Sequence, residues 1–411
     1  VISGIFPISI ALLDNFWKPL AVLGSYIIIQ NIESYIILVN LKHMKKNLMR
    51  ITFCPGPGAV IPEWSEGQKE FFGRGDSYYS SVKKKALDWI KKTCRTLQNN
   101  KNVKFLNRTS VAAYHNYNYL LMMQNLSDHL TYEEKKGKIR HRLWKVRTKK
   151  VILATGSIER PMVFDCNDRP GIMLSSAVRK YLNYYGVKCG NEAVVFTNND
   201  DAYETAISLH SKGVKIEAIV DIREKSNGDL PKKCNELGIK ILWKSTITYT
   251  KGFKKLNQVH VMRLSKDNGS VINKKIKINC DLLCISGGYT PTVHLFTQSG
   301  GKLTYNNEKY IFHPKISLLD QISVGSCNGT FNLKCIIDET QTQTKEFLNT
   351  NDVEKINVIE SKGKNFENIW LLPSDKISGK TKSFVDFQND STANDIKLAL
   401  REGFKSIEHV K

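Results

Sequence analysis

The chain has 411 residues, enough for two or three domains that each bury a core, and its 61 Lys and Arg against 39 Asp and Glu give a formal net charge of +22. The basic residues are spread along the chain, with no helix-turn-helix, RNA-recognition or zinc-finger spacing. Composition therefore argues against a nucleic-acid binder and for a solvated basic surface. Nine cysteines in this length do not make a disulfide scaffold, and no secretory leader is visible, so a cytoplasmic protein is expected.

Residues 1–80 do not carry the strand, G-x-G-x-x-G turn, helix and acid-ended strand of a dinucleotide-binding lobe. Leu20 to Val39 is apolar but is interrupted by Gln30, Asn31, Glu33 and Ser34, which makes it a poor membrane span. The run F-C-P-G-P-G-A-V at Phe53 to Val60 offers Gly56 and Gly58 without a third glycine. Pro55 and Pro57 also remove two amides that a phosphate would need, so it reads as a turn. Either the first part of a nucleotide lobe is degenerate here, or the sequence before Ser81 is altered, for instance by a reading-frame error.

From Ser81 the pattern becomes regular. Lys84 to Leu97 places Ala86, Trp89, Ile90, Cys94 and Leu97 on one helical face. A strand at Val103 to Leu106 follows, then strand-like runs around Val111 to Met123 and His141 to Val146, with a polar loop at Thr131 to Lys138. His115 and His129 read as surface or hydrogen-bonded residues. Val151 to Ala154 is a continuous apolar run, as in a strand buried on both faces of a parallel sheet. Thr155-Gly156 ends it, and Pro161 keeps the following S-I-E-R extended.

A helix is predicted over Leu174 to Tyr185, stopped by Gly186. Next come a buried strand Ala193 to Phe196, a helix Asp201 to Ser211 stopped by Gly213, and a strand Ile216 to Val220 ending at Asp221. This is a Rossmann-type βαβ unit with Asp221 where a ribose-binding acid would lie. Its turn is T-N-N-D-D-A, not glycine-rich. Asp200 and Asp201 read as helix caps that put negative charge where a pyrophosphate would sit.

Beyond Leu230-Pro231 a helix leads to strands Ile239 to Trp243, Ile247 to Thr250, Val259 to Leu264 and Val271 to Ile278, with a hairpin turn at Asn268-Gly269. Leu282 to Ile285 is another buried strand, ending at Ser286-Gly287-Gly288. Cys280 and Cys284, four apart in C-D-L-L-C-I-S, are expected on one strand face as structural thiols. S-V-G-S-C-N-G-T-F at Ser323 to Phe331 reads either as a plain loop or as a turn in which Gly325 and Gly329 let backbone amides approach a phosphate, with a following helix adding its positive end. Residues 336–382 read as a linker, and 383–411 as a last compact piece with a helix.

The motifs A-L-D-W (Ala86 to Trp89), R-L-W-K-V-R (Arg142 to Arg147), A-T-G-S-I-E-R-P (Ala154 to Pro161) and N-D-R-P-G-I-M-L (Asn167 to Leu174) form one ordered series. It continues with V-V-F-T-N-N-D (Val194 to Asp200), S-G-G-Y-T-P-T-V-H-L-F-T-Q-S-G-G (Ser286 to Gly301) and F-V-D-F-Q-N-D (Phe384 to Asp390). In this series the chain resembles the α subunit of heterotetrameric sarcosine oxidase.

The resemblance implies an α/β fold like that of flavoproteins with two dinucleotide-binding domains, plus a small C-terminal helical piece. The expected divisions are a first lobe over 1–192, of which 1–80 is unreadable, an inserted Rossmann-like lobe over 193–285, a return over 286–335, the linker, and the final piece. The two strand ends at Ala154-Thr155-Gly156 and Ser286-Gly287-Gly288 would mark the crossings between lobes.

Further implications are oxidative demethylation of sarcosine to glycine, giving 5,10-methylenetetrahydrofolate and hydrogen peroxide, with β, γ and δ subunits as partners. NAD is expected in this subunit, FAD and FMN in the complex, and tetrahydrofolate in a C-terminal domain that this sequence lacks. Thr155, Gly156, Gly325, Asn328 and Gly329 are the expected cofactor-binding residues. No catalytic residue, metal, nucleic acid or membrane partner is expected. The alternatives are a pyridine-nucleotide-dependent FAD oxidoreductase and a non-catalytic nucleotide-binding scaffold of an amine dehydrogenase complex.

Overall fold

The computed structural model describes residues 37–40, 49–50, 90, 92–349, 367–374 and 381–410. The glycine-poor run at 53–60 and most of the apolar segment before it lie outside these residues. The chain divides into two compact units, 1–158 with 290–360, and 159–289 with 361–411.

In the first unit, strands Thr109–His115, Tyr119–Asn125 and His141–Arg147 form an antiparallel meander. Tyr117 and Asn118 reverse the chain with φ of 58° and 50°. Alternation turns Val111, Tyr114, Leu120, Met122 and Val146 inward, where they share a core with Val151, Ile152 and Leu153. The strand Val151–Leu153 pairs in parallel with Gln321–Ser323, with Val151 opposite Gln321 and Leu153 opposite Ser323. The polar stretch after Leu130 contains one capped helical turn, Tyr132–Lys135.

The expected linker begins inside a helix, Leu333–Leu348. Its interior is written in Thr and Gln, which carry little helical periodicity, and its apolar residues gather at the two ends. Asn332 starts it by accepting from the amides of Lys334 and Cys335, and Asn349 ends it in a left-handed conformation at φ 51°.

The second unit is built on a five-stranded parallel sheet in the order Ile241–Leu242, Lys215–Asp221, Glu192–Thr197, Leu282–Ser286, Ile172–Leu174. Helices Ser175–Tyr184 and Asp201–His210 share one core with it, through Val178, Leu182, Ala202, Tyr203 and Ala206. A three-stranded antiparallel sheet, Ser245–Gly252, Leu256–Leu264 and Val271–Asn279, closes the other core. The hairpin at Asn268 has φ 60° there, as its sequence demands.

Two expectations change. The chain enters the second unit at Glu159, well before 193, because the strand Ile172–Leu174 pairs in register with Leu283–Ile285. It leaves again after Tyr289, so both crossings follow closely on the two glycine-ended strands. Cys280 and Cys284 do not share a face, because the strand starts only at Leu282, after Asp281. Cys280 packs with Val259 and Val261, and Cys284 packs with Val195 and Val178.

The last piece contains the short strand Phe384–Asp386 and helix Ala393–Arg401, entered by a capping box between Thr392 and Asp395. Among the described residues no helix is long and apolar enough to cross a membrane.

Candidate functional site

In a parallel sheet, ligands are met where strands end at their carboxyl side. In the first unit the adjacent strands Val151–Leu153 and Gln321–Ser323 end together. The Val324 amide donates to the Leu153 carbonyl at 2.8 Å, and the Cys327 thiol lies 3.2 Å from that same oxygen. Gly156, Gly325 and Gly329 all have positive φ, at 72°, 74° and 86°, and a Cβ at Gly329 would stand 3.0 Å from Ile311 Cδ1. Gly325–Asn328 form a turn of 3-10 helix between the last two. Burial pushes the Cys327 thiol above its ordinary range, so it is no nucleophile.

Of the expected cofactor contacts, Thr155, Gly156, Gly325 and Gly329 fall in this cluster, but two side chains are already committed. Thr155 Oγ1 donates to the Thr292 carbonyl at 2.6 Å. Asn328 Nδ2 donates to Glu339 Oε1 at 2.8 Å, and Thr330 Oγ1 donates to the other oxygen of that carboxylate. The Thr155 and Asn328 side-chain donors are therefore spent within the chain. The helix that follows does not offer its first amides freely, because Asn332 Oδ1 accepts from Lys334 at 3.0 Å and Cys335 at 3.2 Å. Thr292 was not visible to sequence reasoning. Its amide donates to Gly156 O at 3.0 Å, and its buried hydroxyl has no partner.

The second unit has the topology of a nucleotide lobe, but its crevice is filled by its own side chains. Asp221, with no exposure, accepts from the Tyr203 hydroxyl at 2.7 Å and from Arg223 Nη2 at 2.7 Å. Arg223 also reaches Asp200 at 2.8 Å. Burial and the neighbouring Asp221 push the Tyr203 hydroxyl far above its usual range, so it stays a donor. Asp200 makes no side-chain cap; Asn199 Oδ1 instead accepts from the Asp201 amide at 3.0 Å. Asp201 pairs with Arg179 at 2.9 Å and accepts from the Tyr289 hydroxyl.

The cap reading of the two aspartates is thus corrected. Arg179 and Arg223, distant or unremarkable in sequence, draw both carboxylates away from the turn. Asn199 Nδ2 bridges to Ser286 Oγ at 3.0 Å, joining the two central strand ends. A ribose would have to break the Asp221 pair, so the residues here do not fit a dinucleotide. Among the described residues, no three His, Cys, Asp or Glu side chains gather to hold a metal.

Over 335 residues the chain is 32% identical to sarcosine oxidase subunit alpha of Corynebacterium sp. (strain P-1), covering 79% of this chain and 34% of that protein. It is 31% identical over 334 residues to the subunit of the same name from Rhizobium meliloti (strain 1021), covering 80% of this chain and 32% of that one. The chain thus spans about a third of the length of these curated relatives. The family model for the sarcosine oxidase A3 domain matches residues 380–411.

Among solved structures the chain is similar to L-proline dehydrogenase from P. horikoshii, at TM-score 0.46 and 16% identity, covering 74% of this chain and 54% of that one. It is also similar to a bacillithiol disulfide reductase from Staphylococcus aureus, at TM-score 0.42 and 12% identity, covering 68% and 82%. By sequence, across 79% of its residues, the chain is a relative of the sarcosine oxidase α subunits.

Proposed function

We propose that this chain is the nucleotide-binding part of the α subunit of a sarcosine oxidase. The enzyme would demethylate sarcosine oxidatively to glycine, pass the electrons through flavins to oxygen to give peroxide, and transfer the one-carbon unit to tetrahydrofolate. The observation that carries this reading is the extended similarity to α subunits of that name. In it, NAD is held by the first unit, FAD and FMN belong to the complex with β, γ and δ subunits, tetrahydrofolate binds a domain beyond this sequence, and the complex is cytoplasmic.

The fit of NAD to the first unit is supported by three positive-φ glycines at one pair of strand ends and by a buried hydroxyl left over beside them. When bound, NAD would supply a nicotinamide–adenine dinucleotide framework at these strand ends. Gly156, Gly325 and Gly329 would let backbone approach it closely; Gly329 lies against Ile311 Cδ1 and the His313 side chain, and its carbonyl accepts from Lys309 Nζ at 2.8 Å. The second unit serves as scaffold, since its own crevice is self-paired. In this reading amine oxidation belongs to a partner subunit.

The test is the nucleotide retained after mild purification of the whole chain, identified by mass spectrometry. About one NAD per chain and no stoichiometric flavin is expected. Stoichiometric flavin together with sarcosine-dependent peroxide formation by the chain alone would overturn the reading in favour of a free-standing flavin oxidoreductase.

A further inference from the structure

We propose that Thr292 is a ligand contact of the first-unit site, its hydroxyl donating a hydrogen bond to an oxygen of the bound dinucleotide. This inference rests on the NAD reading above and assigns the site a residue outside the glycine turns. Thr292 is only 4% exposed. Both of its backbone groups are used at the strand end, its amide on Gly156 O and its carbonyl by Thr155 Oγ1. The hydroxyl alone has no partner.

A buried hydroxyl without a partner forfeits its hydration for nothing, and native proteins rarely leave one so. The neighbours here do not offer a rescue. Cys327 engages Leu153 and Val324, and the Thr155 hydroxyl is spent on Thr292's own carbonyl. The orphan also sits beside the positive-φ Gly156, where backbone can come close to a ligand. A donor held ready beside such a turn suits an oxygen acceptor, as a phosphate or ribose provides. Such a contact would act on affinity, making Thr292 a binding residue with no part in the chemistry.

The experiment is calorimetric titration of NAD into the whole 411-residue chain and into Thr292→Val and Thr292→Ser, with thermal melting of each in the absence of nucleotide. Valine keeps the shape and removes the donor; serine keeps the donor. The valine variant is expected to bind NAD about tenfold more weakly, the size of one lost hydrogen bond, and serine to stay within about twofold of the parent. Nucleotide-free Thr292→Val is expected to melt no lower than the parent, because it removes a polar atom that has no partner. Equal NAD binding by parent and valine variant would overturn this inference and leave the NAD reading standing. A lower melting temperature of the nucleotide-free valine variant would also overturn it, by showing that the hydroxyl has a structural partner. Absence of NAD binding by the parent chain would overturn both.

Discussion

Asp221 and Arg223 are joined inside the second unit by a 2.7 Å hydrogen bond from Nη2 to Oδ2, with the arginine side chain 5% exposed and the carboxylate not exposed at all. The same guanidinium holds Asp200 from the turn after the central strand. One cation thus occupies the two acids that a dinucleotide would have met in this lobe, and the pair is a fixture of the core.

Removing the cation should therefore be costly. Arg223→Met is expected to destabilise the second unit by about 3–5 kcal/mol, because it leaves two buried carboxylates with reduced compensation. Denaturant unfolding of the whole chain measures this. A loss under about 1 kcal/mol would mean that water reaches the pair and that the crevice is open.

A second expectation concerns pH. Glu159 Oε2 accepts from the Ser176 amide at 2.7 Å and from the Ser176 hydroxyl at 2.6 Å, capping a helix whose own N-cap position, Leu174, has no acceptor. Burial raises the Glu159 carboxyl above its ordinary 4.5. The folded protein then keeps a proton that the unfolded chain releases, so the stability contributed by this group is complete below the ordinary value and is lost as pH rises through the raised one. Glu159→Gln keeps an acceptor and cannot titrate. Its stability is expected to fall less than the parent's between about pH 5 and 8; parallel curves from denaturant titrations would contradict the assignment. Glu159→Ala should cost about 1–2 kcal/mol through loss of the cap at pH below the ordinary carboxylate value, and less as pH rises through the raised one.

The third expectation concerns the C-terminal piece. Asn167 imitates a strand partner for Phe384, donating from Nδ2 to its carbonyl and accepting from its amide, both at 2.8 Å. Asp165 beside it accepts from the hydroxyls of Thr381 and Ser383, each at 2.7 Å. Asn167→Ala is expected to speed hydrogen exchange at the Phe384 amide about tenfold while leaving the sheet amides of Glu192–Thr197 unchanged. Unchanged exchange at Phe384 would show that the C-terminal piece is held by other contacts.

What the sequence revealed follows from where the information lies. Ala193 to Phe196, Val151 to Ala154 and Leu282 to Ile285 were readable because a strand buried on both faces leaves an unbroken apolar run, and Gly156 and Gly325 because their turns need positive φ. Arg179 and Arg223 could not be assigned as the partners of Asp201 and Asp200, because such pairing is fixed only when the strands and helices pack. The helix Leu333–Leu348 was hidden by its Thr and Gln content, and the opposed faces of Cys280 and Cys284 by a strand that starts two residues later than the apolar run suggests. Thr292 gave no signal at all, since an orphaned hydroxyl exists only once its neighbours are in place.

The central claim is that the dinucleotide is held at the strand ends of the first unit while the Rossmann-like lobe of the second is closed to it. Hydrogen exchange of the whole chain with and without saturating NAD tests this most directly. Protection is expected at amides of 153–156 and 324–330, with none added at 197–201 and 221–223. Protection of the second set, with the first unchanged, would place the nucleotide on the Asp221 lobe and contradict the account.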